Sequence, residues 1–377
     1  MRIPILIEPS FDQASVWCGQ MRAGIEAEAA RKKYEILLLD GQRYREIDDG
    51  VVFPERRLLV LIGTSPSWIP QALAFLQERR VEVILASYQP PENMLLRGIV
   101  RMDYVSGVSM LLQYMRSCSK TRTALYGCCK NSSTDEIKAG AFTRFLAAEG
   151  DLRPESAVFY NDVTLAECYG VFREQRERFD SVICVNDVAA ASLITHLGRD
   201  GVPVPGRLYV AGFGNTEIAR LFRPGITIAT LDHEAVGRQL VSLYTYLFRS
   251  ETDAMVTVRV KCRLNINEST AHTPAVAGYM PSLPLPQTGN GKDFYQDDEV
   301  RAFTRLEKLL VQCDDFDLAI LRGLMAEETY EGLAERLDAP LTTLRYRVKR
   351  MAQWAEADSR SGLTAFLRDN GFAGLIV

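Results

Sequence analysis

Residues 179–187 read Phe-Asp-Ser-Val-Ile-Cys-Val-Asn-Asp, a short apolar run followed by two polar residues. Helical periodicity then runs from Ala189 to His196. An apolar run of this length before an amphipathic segment predicts a strand buried on both faces and then a helix. The same alternation recurs from the first residues to about residue 240. Buried strands separated by helices indicate parallel sheets wound by right-handed crossovers.

The predicted elements fall into two groups of four strands, which favours two doubly wound α/β lobes over one eight-stranded sheet. Ligands of such sheets bind beyond the carboxyl ends of the strands, which here is the cleft between the lobes. The predicted strands are Ile3–Ile7, Ile36–Leu39, Leu58–Ile62, Val83–Ala86, Thr123–Tyr126, Ala157–Phe159, Ser181–Val185 and Leu208–Ala211. The clearest predicted helices are Gly19–Lys32, Ile69–Glu78, Gly107–Arg116, Ile137–Glu149 and Ala189–His196.

Composition limits the class of protein. The net charge is -4, so a DNA-binding surface must be a local patch rather than a global field. The eight cysteines show no paired metal-ligand spacing and there are only three histidines, so we expect no metal site and no cofactor. The apolar run at the N-terminus stops at Glu8-Pro9, too early for a signal peptide, and no stretch approaches the roughly 18 apolar residues of a membrane span. We therefore expect a cytoplasmic protein.

The chain divides by composition into three parts. Residues 1–270 are the two-lobed domain, and residues 271–296 form a linker with four prolines and three glycines. Residues 297–377 read as a small all-α domain. Its first helix, Asp298–Gln312, has one apolar face, formed by Val300, Phe303, Leu306, Leu309 and Leu310. This helix could add a second dimer contact.

Three further helices are predicted after this one, at Asp317–Met325, Tyr330–Leu337 and Leu341–Trp354. Asp338-Ala339-Pro340 separates the last two, and Pro340 is well placed to start a helix. In the last helix an apolar stripe (Leu344, Val348 and Met351) opposes Thr342, Tyr346, Lys349 and Gln353, which Arg345 and Arg350 flank. Such a helix offers cationic and hydrogen-bonding groups to phosphates and base edges.

Residues 333–348, Leu-Ala-Glu-Arg-Leu-Asp-Ala-Pro-Leu-Thr-Thr-Leu-Arg-Tyr-Arg-Val, resemble the helix-turn-helix of LuxR-type and sigma-region-4-like domains. Asp338 stands where those domains usually have glycine, and Pro340 where they have a capping serine. The resemblance implies that Arg345, Tyr346 and Lys349 face the DNA groove. The DNA-binding set is Thr342, Thr343, Arg345, Tyr346, Lys349 and Arg350. The alternative is a solvated face of a helical domain that binds a protein partner.

The sequence from Arg2 to Ala271 resembles the effector domain of the lactose-repressor family, itself similar to periplasmic sugar-binding proteins. The resemblance rests on residues 179–187, Val202–Gly206, Leu208–Phe213, Pro224–Ile228 and Asn267–Ala271, in that order. It implies a transcription regulator that binds operator DNA, takes a sugar or related small-molecule effector in its cleft, and forms a homodimer.

The resemblance also implies ligand-binding residues, each with a structural alternative. Asn186 follows a buried strand and is implied to contact the ligand, whereas Asp187 fits a helix cap better. Lys138 stands where the family has an arginine, and otherwise is an exposed helix residue. Trp17 would stack on the ligand or belong to the core. The last two candidates are Asn215 and Asp103. Asp103 matches a family aspartate near the hinge, and its structural alternative is a helix cap and nothing more.

Two departures from the family pattern weaken a simple-sugar prediction. The family's Gly-Phe-Asp-Asp is replaced by Gly212-Phe213-Gly214-Asn215, and Val163 takes a position that is often aromatic. The ligand could therefore be a sugar derivative, another metabolite, or absent. No catalytic motif stands out, and Asp232-His233-Glu234 reads as a hinge and helix start, so we expect no enzyme.

In the expected mechanism a ligand closes the lobes, and closure changes the spacing of two helix-turn-helix units on half-sites about 34 Å apart. The expected first lobe is Met1–Ser119 plus His233–Ala254, and the second is Lys120–Asp232 plus Met255–Glu268.

Overall fold

The structure is a computed structural model that describes residues 1–53, 55–86, 96–151, 153–250, 254–270 and 297–372. The predicted linker, residues 271–296, lies outside the described residues. Among the described residues, no helix combines the length and apolar character needed to cross a membrane.

Two α/β lobes are followed by a helical region. In chain order the strands are β1 (Arg2–Ile7), β2 (Glu35–Leu39), β3 (Leu58–Ile62), β4 (Glu82–Ala86), β5 (Gly98–Met102), β6 (Thr123–Cys128), β7 (Val158–Tyr160), β8 (Ser181–Cys184), β9 (Tyr209–Gly214), β10 (Thr227–Thr230), β11 (Val256–Val260) and β12 (Arg263–Asn265). The helices of the lobes are α1 (Pro9–Ala14), α2 (Val16–Lys32), α3 (Asp49–Val52), α4 (Trp68–Glu78), α5 (Tyr104–Ser117), α6 (Ser133–Ala148), α7 (Leu165–Gln175), α8 (Asp187–Arg199), α9 (Glu217–Leu221) and α10 (His233–Arg249). Those of the helical region are α11 (Asp298–Gln312), α12 (Asp315–Met325), α13 (Tyr330–Leu337), α14 (Leu341–Trp354) and α15 (Arg360–Asp369).

Each lobe is built on one six-stranded sheet. The first has the strand order β11-β5-β4-β3-β1-β2, and every pair in it is parallel. The second has the order β12-β10-β9-β8-β6-β7 and is parallel except for the edge pair of β10 with β12. The prediction of two α/β lobes is thus confirmed, but the prediction of four strands in each lobe was wrong, because each sheet has six. Sequence reasoning missed four of the described strands, β5, β10, β11 and β12, which lack a long continuous apolar run. Strand β5 contains Arg101, β10 begins and ends with threonine, β12 has three residues, and every second residue of β11 is exposed.

The expected lobe boundaries also need correction. Helix α5 packs on α6, β10 and β12, so it belongs to the second lobe, and β11 pairs with β5 in the first. The chain therefore crosses at Asp103, near His233 and at about Lys261, not at Ser119 and Ala254. Two of the crossings lie side by side, because the Asp103 amide donates to the carbonyl of Val260 at 2.8 Å. Edge-strand pairing decides which lobe a segment joins, and it is not visible in local periodicity.

Helices α2 and α10 pack with their backbones in contact. A Cβ atom on Gly24 would overlap the carbonyl oxygen of Glu234, and one on Gly237 would overlap the carbonyl oxygen of Met21. Glycine at both positions therefore allows the closest approach of the two helices. This contact fixes the start of α10, where His233 lies, relative to the start of α2.

The helical region is seated on the second lobe through α11. Phe303 of this helix lies between Phe222 of the second lobe and Phe372, with ring centroids 6.5 Å and 4.9 Å away. Ser192 of α8 donates to Glu299 at 2.6 Å. The predicted apolar face of α11 is buried within the chain in this way, so a dimer contact made by this helix would have to use its other faces.

Glu307 of α11 makes the most deeply buried polar contact of this docking. Its two carboxylate oxygens accept hydrogen bonds from the backbone amides of Glu217 and Ile218, at 2.7 Å and 2.8 Å, at the start of α9. Its side chain is 1% exposed. Burial raises the pKa of this carboxyl to about 7, although the two amide hydrogen bonds favour the charged form.

Substituting Gly24 tests the helix contact. We expect Gly24→Ala to lower the free energy of unfolding by about 2–3 kcal/mol, because the added methyl group forces α2 and α10 apart. The matched control is Gly19→Ala on the same helix, where nothing lies within 4 Å of the new methyl group. The control should be neutral or stabilising by about 0.4–1 kcal/mol. Urea unfolding measures both, and equal effects would contradict the proposed close contact.

The raised pKa of Glu307 predicts a pH dependence of stability. Between about pH 4.5 and 7 the folded protein binds more protons at this carboxyl than the unfolded chain does, so its contribution to stability falls as pH rises through this window. Glu307→Gln cannot ionise and should remove that part of the decline. We expect the stability difference between variant and wild type to shift in favour of the variant from pH 5 to 8, as measured by thermal unfolding. Parallel curves would show that Glu307 titrates normally.

Candidate functional site

A cavity lies between the lobes at the carboxyl ends of their strands. Its volume is about 80 Å³. Both lobes and a crossover contribute to it, which fits the predicted position of the cleft. The lining residues are Phe11, Trp17, Thr64, Tyr104, Cys129, Asn131, Ser132, Thr134, Asp135, Lys138, Val185, Asn186, Leu231 and His233.

Lys138 forms a buried ion pair at this cavity. Its side chain is 4% exposed, and its Nζ lies 2.9 Å from Asp135 Oδ1. The ammonium group also lies over the rings of Tyr104 and Phe213, at 4.9 Å and 5.4 Å from their centroids. The other Asp135 oxygen accepts from the Cys129 amide at 3.2 Å. The alternative of an exposed helix residue is therefore wrong, and the positive charge is neutralised within the site.

Asn186 both caps a helix and faces the cavity. Its Oδ1 accepts from the Ala189 amide at 2.7 Å, which makes Asn186 the N-cap of α8. The expectation that the capping role fits Asp187 better is corrected by this hydrogen bond. Because the oxygen is engaged by the helix, the amide NH₂ is the group that Asn186 offers to a ligand.

The position of Asp187 accounts for the glycine at position 214, where the family pattern has an aspartate. Asp187 is fully buried, and its Oδ2 accepts from the amide and the hydroxyl of Thr216 at 3.1 Å and 2.6 Å. Burial raises the pKa of this carboxyl, and the hydrogen bonds from Thr216 lower it. A Cβ on Gly214 would overlap the same carboxylate. The aspartate that the family usually has at this position therefore has no room here.

His233 is a cavity residue that sequence reasoning missed. It was assigned to the hinge, and its side chain is 7% exposed and lines the cavity. Burial and the nearby Lys138 charge lower its pKa to about 4, so the ring is neutral at pH 7. Its Nδ1 has no hydrogen-bond partner among the residues that the structure describes. The sequence did contain a signal for this position. His233 follows a strand of the second lobe at a predicted crossover, and a crossover between the lobes borders the cleft.

The structure brings together three of the five predicted ligand residues. Trp17, half-buried, lines the cavity with its ring 6.5 Å from that of His233, beside Lys138 and Asn186. Asp103 lies outside the lining and caps α5 through Ser106. Asn215 is exposed at an outer groove, and its carbonyl accepts from Gln20 at 3.3 Å. Val163 is also outside and 44% exposed.

The chemistry of the cavity is that of binding. It offers an indole ring, the Asn186 amide and the neutral His233 ring, beside a charge pair that is already balanced. Within the described ranges, no group of three His, Cys, Asp or Glu side chains could hold a metal ion.

The second candidate site is the outer face of α14. Its inner stripe of Leu344, Val348 and Met351 is buried against the other helices, as predicted. Helix α13 ends at Leu337 and its C-cap is Asp338, whose φ of 47° lies in the left-handed region that favours glycine. Five of the six predicted DNA-binding residues are exposed (Thr342, Thr343, Arg345, Tyr346 and Lys349) and the sixth, Arg350, is half-buried.

Comparisons with known folds agree with this architecture. Residues 113–270 match a family model described as a periplasmic binding protein-like domain. The transcriptional regulator CelR, solved with cellobiose, is similar with a TM-score of 0.59 and 18% identity over 71% of this chain and 84% of that chain. A LacI family regulator from Enterococcus faecium, solved with ribose, has a TM-score of 0.57 and 16% identity over 73% of this chain and 100% of that chain. The predicted fold of two periplasmic-binding-protein-like lobes, followed by a helical region, is confirmed.

Curated relatives are transcriptional regulators, not enzymes. Catabolite control protein A of Priestia megaterium is 22% identical over 275 residues, which cover 69% of this chain and 79% of that protein. The repressor PurR of Proteus mirabilis is 27% identical over 128 residues, 34% of this chain. The matches to this PurR and to that of Vibrio atlanticus span 35% and 25% of those proteins' lengths. The chain therefore carries a periplasmic-binding-protein-like effector domain related to those of LacI-type transcriptional regulators.

Proposed function

We propose that this protein is a cytoplasmic, DNA-binding transcription regulator that responds to a small molecule bound between its lobes. The observation that carries the proposal is the seating of α11 on the second lobe, because it joins the two-lobed domain and its inter-lobe cavity to a helical region with an exposed cationic face. In this proposal residues 1–270 sense the ligand and residues 297–377 bind operator DNA. Residues 271–296 form the linker between these two parts.

The effector is proposed to be a sugar or sugar-like metabolite. Structural relatives were solved with cellobiose, ribose and glucose. Trp17 would stack on the ligand ring, and Asn186 and His233 would supply hydrogen bonds. The present cavity of about 80 Å³ is small beside the roughly 300 Å³ or more of ordinary ligand pockets, so binding would separate the lobes before they close on the ligand.

DNA recognition is assigned to α13 and α14 as a helix-turn-helix. The tight turn at Asp338 and the buried stripe of α14 hold the pair together, and the outer face of α14 carries Thr342, Tyr346 and Lys349. Two such units in a homodimer would contact half-sites about 34 Å apart.

The lobes would be coupled to DNA through α11. This helix is anchored on the second lobe by Phe303 and Glu307, and it also contacts α2 of the first lobe. A groove between α2 and the helical region is lined on one side by Gln20 and on the other by Trp354, near the end of α14. Movement of the first lobe would change this groove and so the orientation of α14 relative to a second subunit.

The DNA-binding function is tested by a genome-wide DNA pull-down with the purified protein, followed by binding measurements on the recovered fragments across a salt series. We expect a discrete, roughly palindromic site whose binding weakens steeply with salt, because phosphate contacts release counterions. The double variant Arg345→Ala, Lys349→Ala should weaken binding to the recovered site by about tenfold or more. Arg43→Ala is the control, an exposed arginine on the first lobe paired with Glu46. Intact binding by the double variant would refute the assignment of α14. Absence of salt-dependent binding would favour a helical region that binds protein.

The effector site is tested by Asn186→Ser. Serine can still cap α8 but lacks the amide donor, so we expect at least a tenfold loss of ligand affinity with stability changed by less than about 0.5 kcal/mol. Isothermal titration with glucose, ribose and cellobiose gives the affinities, and thermal unfolding gives the stability. Asn215→Ser, outside the cavity, is the matched control. Equal affinities for both variants would remove Asn186 from the site.

A further inference from the structure

The exposed face of α14 has a defined angular arrangement. At about 100° per residue, Thr342, Tyr346 and Lys349 fall within a sector of roughly 60°, while Arg345 and Arg350 lie about 140° apart on its two flanks. The buried residues Leu344, Val348 and Met351 occupy the opposite side of the helix. The two arginines therefore point to opposite edges of any groove that the sector enters.

Arg345 belongs to a stack of two guanidinium groups on one tyrosine. It lies over the ring of Tyr330 at 5.7 Å, and Arg360 lies over the same ring at 4.5 Å. Arg360 is further fixed by a 2.7 Å hydrogen bond to the carbonyl of Glu328. This first stack brings residues from α13, α14 and α15 together on one flank of the exposed face.

Arg350 belongs to a second stack on the other flank. It lies over the ring of Trp354 at 4.7 Å and over that of Tyr346 at 5.6 Å. Stacking on a ring face leaves the in-plane N–H donors of a guanidinium group available, and it reduces the rotamer entropy lost when an anion binds.

The third arginine of α14 serves a different purpose. Arg347 donates to Asp314 and Asp317 of the α12 start, at 2.7 Å and 3.0 Å, so its charge is neutralised within the helical region. The cationic character of the outer face therefore depends on Arg345, Arg350 and Lys349, with Arg360 beside them.

We propose that the two stacks are phosphate-binding sites for the two DNA strands that border one major groove. Arg345 with Arg360 on Tyr330 binds one strand, and Arg350 on Trp354 and Tyr346 binds the other. A helix is about 10–12 Å across with its side chains and the groove is about 12 Å wide, so flanking residues meet the backbones while the central sector meets base edges. Thr342 and Lys349 then read sequence. This inference rests on the proposed DNA-binding function and assigns separate roles within it.

Salt titrations distinguish the two roles. Fluorescence anisotropy of the full-length protein is measured from 50 to 200 mM salt, with the recovered fragment and with a scrambled duplex of equal length. We expect Arg345→Ala, Arg350→Ala and Arg360→Ala each to weaken binding to both duplexes alike and to lower the slope of log K against log salt by about one. Thr342→Ala should keep the slope and reduce the preference for the recovered fragment. Arg43→Ala should change neither, and circular dichroism establishes that each variant is folded.

The outcomes separate this inference from the proposed function. If the Arg345 and Arg350 variants lost sequence preference while keeping the wild-type slope, these residues would read bases and the inference would be overturned alone. If the wild-type protein showed no salt-dependent binding to either duplex, the DNA-binding function would fail and the phosphate sites with it. Arg345→Lys adds a check on charge, because it should keep the wild-type slope at a lower affinity.

Discussion

The burial of α11 against the second lobe is the interaction on which the arrangement of the molecule depends. Phe303 fills the space between Phe222 and Phe372, and Glu307 satisfies two backbone amides at the start of α9. The Phe303 ring must fill its apolar space and the buried Glu307 carboxylate must keep its two amide donors. Both conditions are met in only one position of the helix on the lobe. Because α11 also packs on α14, the exposed cationic face takes its orientation from the second lobe.

The cleft follows the same rule that buried charge needs a partner. Lys138 is neutralised by Asp135, and Asp187 is held by Thr216 in the space that the family's aspartate would need. What remains for a ligand are neutral groups: the Trp17 ring, the Asn186 amide and the His233 ring. The cleft therefore lies where this fold is expected to have one, and its charged groups are paired within the protein.

Local pattern was sufficient for much of the fold. Eight of the described strands and the amphipathic helices were predicted within a few residues, because a run of apolar residues in a strand or one apolar face of a helix leaves a recognisable pattern. Strands β5, β10, β11 and β12 were missed: β11 and β12 are edge strands, β10 has four residues, and Arg101 interrupts the apolar run of β5, so each carries little of that signature. The lobe crossings were displaced for the same reason, as they depend on which edge β11 joins.

The sequence by itself determined the fold class and the helical C-terminal region, because these follow from periodicity. Trp17, Lys138 and Asn186 were implied as ligand residues by the family resemblance, and the structure places all three in one cavity lining. Only the tertiary structure decided that Asp103 and Asn215 lie elsewhere, that His233 enters the cavity, and that α11 is buried within its own chain. Most of these depend on contacts between residues far apart in sequence, such as Gln20 with Asn215. Local periodicity records which face of an element is apolar, but not which surface covers it.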